Sequence, residues 1–215
     1  MPHLRRALLN TLTALLILGV LIAVFRPGGP LVGQAGTDLI GGSFTLVDQS
    51  GATVTEESWP GQFRFLYFGF TYCPDICPTA LLSMANVLDQ LGPLSGRVQP
   101  IFITVDPERD TPEALAAYVA AFHPRFVGLS GTPAQIEAAA RAYQVTYERV
   151  ARPGSSDYLV DHSSIIYLMD PDGRYVTHFN HLTDPTTMAR SIRTILEDRP
   201  ADGPPPPDGD DHDDP

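Results

Sequence analysis

The 215-residue chain contains no lysine, a single tryptophan and only two cysteines. Two cysteines exclude a disulfide-rich scaffold. All 14 basic residues are arginine, against 25 acidic ones, for a formal charge of −11. Such a chain has no basic footprint for phosphates, which excludes a nucleic-acid binder. It has no internal repeat, which excludes a solenoid, and no glycine-rich phosphate loop. Its 18 glycines are too few for collagen, and its 43% hydrophobic content is too high for wholesale disorder. The length allows one ordinary domain plus extensions.

The charge is unevenly spread. Residues 1–36 hold three arginines and no acid, whereas residues 199–215 hold Arg199 and six aspartates. The 19 residues 7–25 form an apolar run broken only by Asn10, Thr11 and Thr13. As a helix this run spans about 28 Å, close to the roughly 30 Å hydrocarbon core of a bilayer. Arg5 and Arg6 precede it, so the positive-inside rule places residues 1–6 in the cytoplasm and the remainder across the membrane. The expectation is a single-pass anchor with the C-terminal domain exported across the membrane. The alternative is a leader cleaved near Gly33-Gln34-Ala35. Residues 26–39 are rich in glycine and proline and read as a flexible tether. Residues 199–215 carry four consecutive prolines and an aspartate-rich end, and read as a disordered acidic tail.

Over residues 40–198 strand and helix signals alternate. Residues 44–48 with Gly51 and Val54 read as a hairpin. Residues 63–70 and 98–105 are continuously apolar in character and read as buried strands. Leu81, Leu82, Ala85, Leu88 and Leu91 recur at helical spacing over 79–91, which Gly92-Pro93 stops. Thr111-Pro112 and Thr132-Pro133-Ala134-Gln135 each open a helix with a cap and an early proline. Residues 145–150 read as a strand, and residues 163–169 and 175–179 as a hairpin around Asp170-Pro171-Asp172-Gly173. Asp184-Pro185 opens a last helix that ends near residue 198. This order implies an α/β layer fold of thioredoxin-like topology with an added N-terminal β-hairpin. Parallel strands come first and an antiparallel pair closes the sheet. Met84, Met169 and Met188 fall in apolar patterns and read as core.

The chemistry concentrates in Thr71-Tyr72-Cys73-Pro74-Asp75-Ile76-Cys77-Pro78, between the first buried strand and its helix. Ligand sites of open α/β sheets collect at the carboxyl ends of strands. A helix N-terminus favours thiolate over thiol, and positions four apart on a helical turn share one face. Two thiolates on a proline-stiffened turn suit a soft ion such as Cu(I). The plain alternative is a structural disulfide, but closing so short a loop contributes only about 2 kcal/mol. A metal site needs a third ligand, and His123, His162, His178 and His181 are the candidates. His123 stands at a helix end and reads as a cap, while His178 and His181 read as exposed hairpin residues. His162 stands where a loop enters an apolar strand, beside Asp161, which has the chemistry to orient an imidazole.

The run Phe68-Gly69-Phe70-Thr71-Tyr72-Cys73-Pro74-Asp75-Ile76-Cys77-Pro78 resembles the signature of the Sco/SenC family. Residues 105–112 and 128–132, and Asp161-His162 leading into 163–169, are similar to that family as well. The likeness covers residues 41–196 and takes in the N-terminal anchor, whereas the tail from Pro200 has no counterpart. The resemblance implies a membrane-tethered copper chaperone that helps assemble the binuclear copper centre of cytochrome c oxidase. Carried onto this chain, the ligands of one copper ion, Cu(I) or Cu(II), are Cys73, Cys77 and His162. Asp106 and Asp161 match family positions near the site, and Asp75 is a further acid beside it. Tyr72 departs from the histidine that some members carry at that position.

The implied partners are the copper-centre subunit of the oxidase, an upstream copper donor, a thiol reductant and the membrane, with no nucleic acid. The chain then reads as a metallochaperone rather than an enzyme in the turnover sense. Oxidation of Cys73 and Cys77 to a disulfide would release the ion. The rival reading is an exported thiol–disulfide reductase acting on the acceptor's cysteines. Ordinary thioredoxin-like reductases place two residues between their cysteines, and this chain has three. A peroxide-reducing enzyme of the same fold is disfavoured because no threonine stands three residues before either cysteine.

Overall fold

The computed structural model describes residues 40–151 and 157–199. The expected anchor over 7–25, the tether over 26–39 and all of the acidic tail but Arg199 lie outside the described residues. Among the described residues no helix is long and apolar enough to cross a membrane.

The domain opens with a hairpin of β1 (Thr45–Asp48) and β2 (Thr53–Thr55). Its turn is closed by the Asp48 carboxylate, which accepts from the Ser50 and Ala52 amides at 2.8 and 3.0 Å. Then come β3 (Phe63–Gly69) and β4 (Val98–Thr104), buried along their whole length and paired in parallel from Phe63 opposite Val98 to Gly69 opposite Thr104. Continuous apolar strands of this kind require cover on both faces. The central sheet has seven strands in the order β2-β1-β5-β4-β3-β8-β9. Its β5 (Val127–Ser130) runs parallel to β4 and antiparallel to β1. The expected closing hairpin is β8 (Ile165–Met169) and β9 (Tyr175–Asn180), with β8 antiparallel to β3.

Among the described residues four α-helices cover the sheet: α1 (Ile76–Leu91), α2 (Pro112–Ala120), α3 (Pro133–Ala142) and α4 (Pro185–Asp198). The last three start as their sequences predict. Thr111, Thr132 and Asp184 each accept a hydrogen bond from an amide of the first turn, ahead of a proline. Helix α1 begins at Ile76, three residues ahead of the apolar periodicity, and so takes in Cys77. Leu82, counted in its apolar stripe, faces outward, while Leu81, Met84, Ala85, Leu88 and Leu91 are buried. Met169 and Met188 are likewise core. The mixed sheet with helical cover is the expected thioredoxin-like architecture, with the hairpin added at its edge.

One expectation about the last third is met and one is corrected. The strand expected over 145–150 is β6 (Tyr147–Ala151), and it joins no strand of the main sheet. It pairs instead with β7 (Tyr158–His162), in a two-stranded ribbon running from Ala151 opposite Tyr158 to Tyr147 opposite His162. His162 therefore ends a strand rather than standing on an incoming loop.

Candidate metal centre

The site grows from the carboxyl end of β3. After Gly69 the chain turns, and the Cys73 amide donates to the Phe70 carbonyl at 3.2 Å. Thr71 ties the turn to buried Asp110, its amide donating to Oδ2 at 3.0 Å and its hydroxyl to Oδ1 at 2.6 Å. Cys73 lies in this turn, half-buried, and fully buried Cys77 lies in the first turn of α1. The cysteines thus converge across a helix start, not from one helical face. The Cys77 amide donates to Cys73 Sγ at 3.4 Å, so the sulfur occupies the place of a capping oxygen. Asp75, the residue before the helix, makes no side-chain cap.

Both thiols are free. Hydrogen bonds from the Cys77 thiol and from the Cys77 and Asp75 amides hold the Cys73 thiol well below the ordinary cysteine range, against the opposing effect of burial. Cys77 moves the other way, raised by sharing its proton with Cys73 and by burial. The pair thus favours a single charge, carried by the more accessible sulfur.

His162 completes the cluster. Its Nε2 lies 3.3 Å from Cys77 Sγ, and the two sulfurs and a ring nitrogen all fall within 4.8 Å of one another. The imidazole is held edge-on by Tyr67 and Phe70, each with its ring centroid 5.9 Å away. Nδ1 lies 3.1 Å from the Ser163 carbonyl oxygen. A carbonyl only accepts, so Nδ1 carries the proton and Nε2 turns its lone pair toward the sulfurs. That orienting role was expected of Asp161, which is exposed and stands opposite Glu148 in the ribbon. Adjacent residues of a strand face opposite ways, and Asp161 faces away from the ring's Nδ1 contact.

The other candidates separate cleanly. Asp106 is fully buried, but its carboxylate pairs with Arg109 and accepts from Tyr158 Oη at 2.7 Å rather than touching a donor. Asp75 serves Cys73 through its amide, not its acid. His123 meets the end of α2 through its backbone, its amide donating to the Val119 carbonyl at 3.4 Å, while its Nδ1 accepts from the Arg125 amide at 3.1 Å. His178 is exposed beside Tyr175, and His181 is only partly exposed. Tyr67, Gly69, Arg109 and Tyr158 also shape the centre and were not singled out from sequence. Only Arg109 and Gly69 lay within stretches marked by resemblance. A Cβ on Gly69 would stand 2.8 Å from Cys77 Sγ, so this strand end must be glycine for the sulfur to fit.

An open cleft of about 320 Å³ reaches the centre, lined by Phe70, Cys73, Pro74, Ile76, Leu159 and His162 among others. The donor set is two sulfurs and one imidazole with no carboxylate among them. Hard cations such as calcium and magnesium, which take oxygen ligands, do not fit it, whereas soft and borderline ions do.

The chain is similar to known proteins. The chain is 46% identical over 170 residues to the mitochondrial protein SCO1 homolog 1 of Arabidopsis thaliana, covering 77% of this chain and 50% of that protein. It is 40% identical over 179 residues to the SCO2-like protein of Rickettsia conorii, covering 81% and 87% of the two chains. The chain thus spans about half the length of the plant relative and most of the bacterial one. A solved structure of Arabidopsis thaliana ScoI with copper bound superposes with a TM-score of 0.71 at 42% identity, over 74% of this chain and 99% of that one. Residues 32–197 match the family model described as SCO1/SenC, a span that contains all three converging side chains. The chain belongs to the SCO1/SenC family.

Proposed function

We propose that this protein is a membrane-anchored copper chaperone, with its domain on the periplasmic side, that helps assemble the binuclear copper centre of cytochrome c oxidase. One observation carries the reading: Cys73 Sγ, Cys77 Sγ and a His162 ring nitrogen lie within 4.8 Å of one another, with no carboxylate among them. The two sulfurs match Cu(I), and the imidazole makes Cu(II) tolerable, so Cys73, Cys77 and His162 would hold either state. Half-exposed Cys73 on an open cleft offers the donor that an acceptor's ligand displaces first. Relatives solved with copper bound support the metal, and the apolar run over 7–25 supports the anchor. In the test, copper is titrated into the purified protein. One copper per chain and sulfur-to-copper charge-transfer absorption are expected, and Cys73→Ser, Cys77→Ser and His162→Ala should each lose that absorption. Full-strength Cu(II) binding by His162→Ala would remove the histidine from the ligand set.

The asymmetry of the two thiols favours a second reading, a reductase for the acceptor's cysteines. The Cys73 thiolate would attack an acceptor disulfide and Cys77 would then displace the mixed disulfide, two electrons passing to the acceptor. Comparing the rate of reduction of an oxidised acceptor peptide with copper affinity in the same preparation separates the roles. Reduction without measurable copper binding would favour the reductase.

A further inference from the structure

A single guanidinium touches both halves of the metal centre. Arg109 follows β4 in a turn closed by its own amide and that of Asp110, which donate to the Asp106 carbonyl at 3.2 and 3.0 Å. On the cysteine side, its guanidinium carbon lies 4.8 Å from the centroid of the Tyr72 ring, next to Cys73, and 5.9 Å from that of Phe70. On the histidine side it stacks 3.7 Å from the Tyr158 ring, and Nη1 donates to the Tyr158 carbonyl at 3.0 Å. Its Nε donates to the buried Asp106 carboxylate. That carboxylate in turn accepts from Tyr158 Oη at 2.7 Å and faces Arg149 of β6 at 3.6 Å. Asp106 is thereby gripped by both strands of the ribbon. Tyr158 opens β7 and His162 ends it. The ribbon is not part of the main sheet. These side chains, the Arg149–Glu108 pair at 2.9 Å and buried Val160 join it to the rest of the domain.

We propose that Arg109, backed by Asp106, is a positioning residue: a clasp that holds the ribbon so that His162 stays at coordinating distance from Cys73 and Cys77. This rests on reading His162 as a copper ligand. Releasing the clasp turns a three-donor site into a two-sulfur site. Two sulfurs still suit Cu(I), so the loss falls on Cu(II), which the imidazole supports.

The test uses the full chain. Arg109→Ala is expected to weaken Cu(II) binding by roughly 10–100-fold, the range seen when a residue behind a metal ligand is lost. Cu(I) binding should stay near that of the wild type. The Cu(II) electron paramagnetic resonance and charge-transfer spectra of Arg109→Ala should move to those of His162→Ala. In metal-free protein, amide exchange over Tyr158–His162 should rise by about tenfold or more. The double variant should match His162→Ala alone, because a residue that acts through His162 has nothing left to act on. A wild-type Cu(II) spectrum in Arg109→Ala, or an equal loss of affinity in the His162→Ala background, overturns the proposal. If His162→Ala itself binds copper like the wild type, the ligand reading falls and the clasp is judged on exchange alone, where unchanged rates sink it. Should Arg109→Ala not fold, Tyr158→Phe, which removes only the hydroxyl held by Asp106, carries the same comparison.

Discussion

Gly69 shows how closely one atom is fitted at this centre. It closes β3, and an added Cβ would lie 2.8 Å from Cys77 Sγ and 2.9 Å from Phe102 Cε2. Both neighbours are fully buried and have little room to retreat. Gly69→Ala is therefore expected to cost roughly 1–3 kcal/mol, as overpacking does. It should also distort copper binding although no donor is changed. A urea midpoint and a copper titration check both parts, and wild-type values in both would mean that the sulfur has space. The cysteine pair was legible from sequence because its spacing and prolines are local. The need for glycine at position 69 was not, because it arises from Cys77 and Phe102, which only folding brings to that strand end. The same holds for the imidazole's partner. Asp161 and Ser163 flank His162 equally in the chain, and only the strand geometry decides for the Ser163 carbonyl.

Among the elements, helices with local start signals were readable to within a few residues, because a cap and an early proline act on their own turn. The strands β5 and β7 were not. β5 has four residues, one of them glycine, and is a strand because β4 and β1 offer it ladders on both sides. β7 follows a Gly/Ser segment and lies in a ribbon with a largely exposed partner, so no apolar alternation marks it. Helix α4 ends through a contact that is equally remote in the chain. Its terminal carbonyls at Leu196 and Arg199 accept from the Arg97 guanidinium, the first at 2.6 Å. Helix ends leave such carbonyls unpaired unless a donor arrives. Arg97→Met, which keeps the apolar stem and removes the donors, should cost about 1–2 kcal/mol. It should also speed amide exchange in the last turn of α4. Thermal unfolding and exchange measurements check this, and an unaltered last turn would show that solvent caps the helix as well as Arg97 does.

Across the domain, Asp110 links the cysteine turn to the sheet, since Thr71 and the β4 residue Thr104 both donate to its carboxylate. Burial is the largest influence on it and raises its pKa above 3.8, outweighing the bonds from the two threonines. Between the unfolded and folded values the folded protein keeps a proton that the unfolded chain has released. This group's stabilisation is full below the unfolded value near 3.8 and is lost as pH rises through the higher folded value. Asp110→Asn has no such dependence. In urea unfolding, the variant should therefore gain on the wild type as pH rises from about 4 toward neutrality. A stability difference that stays constant over that range would show that Asp110 titrates alike in both states. Read along the chain, the residues sufficed for the dithiol turn, the capped helices and the buried parallel strands, because each depends on near neighbours and on periodicity. Local pattern left four histidines open and the family resemblance pointed to His162; folding brings its ring to the sulfurs, since Cys77 and His162 stand 85 positions apart. Folding also decided that a separate ribbon carries that histidine and that Arg109 spans the gap. Contacts between distant segments follow from packing, which no local pattern encodes.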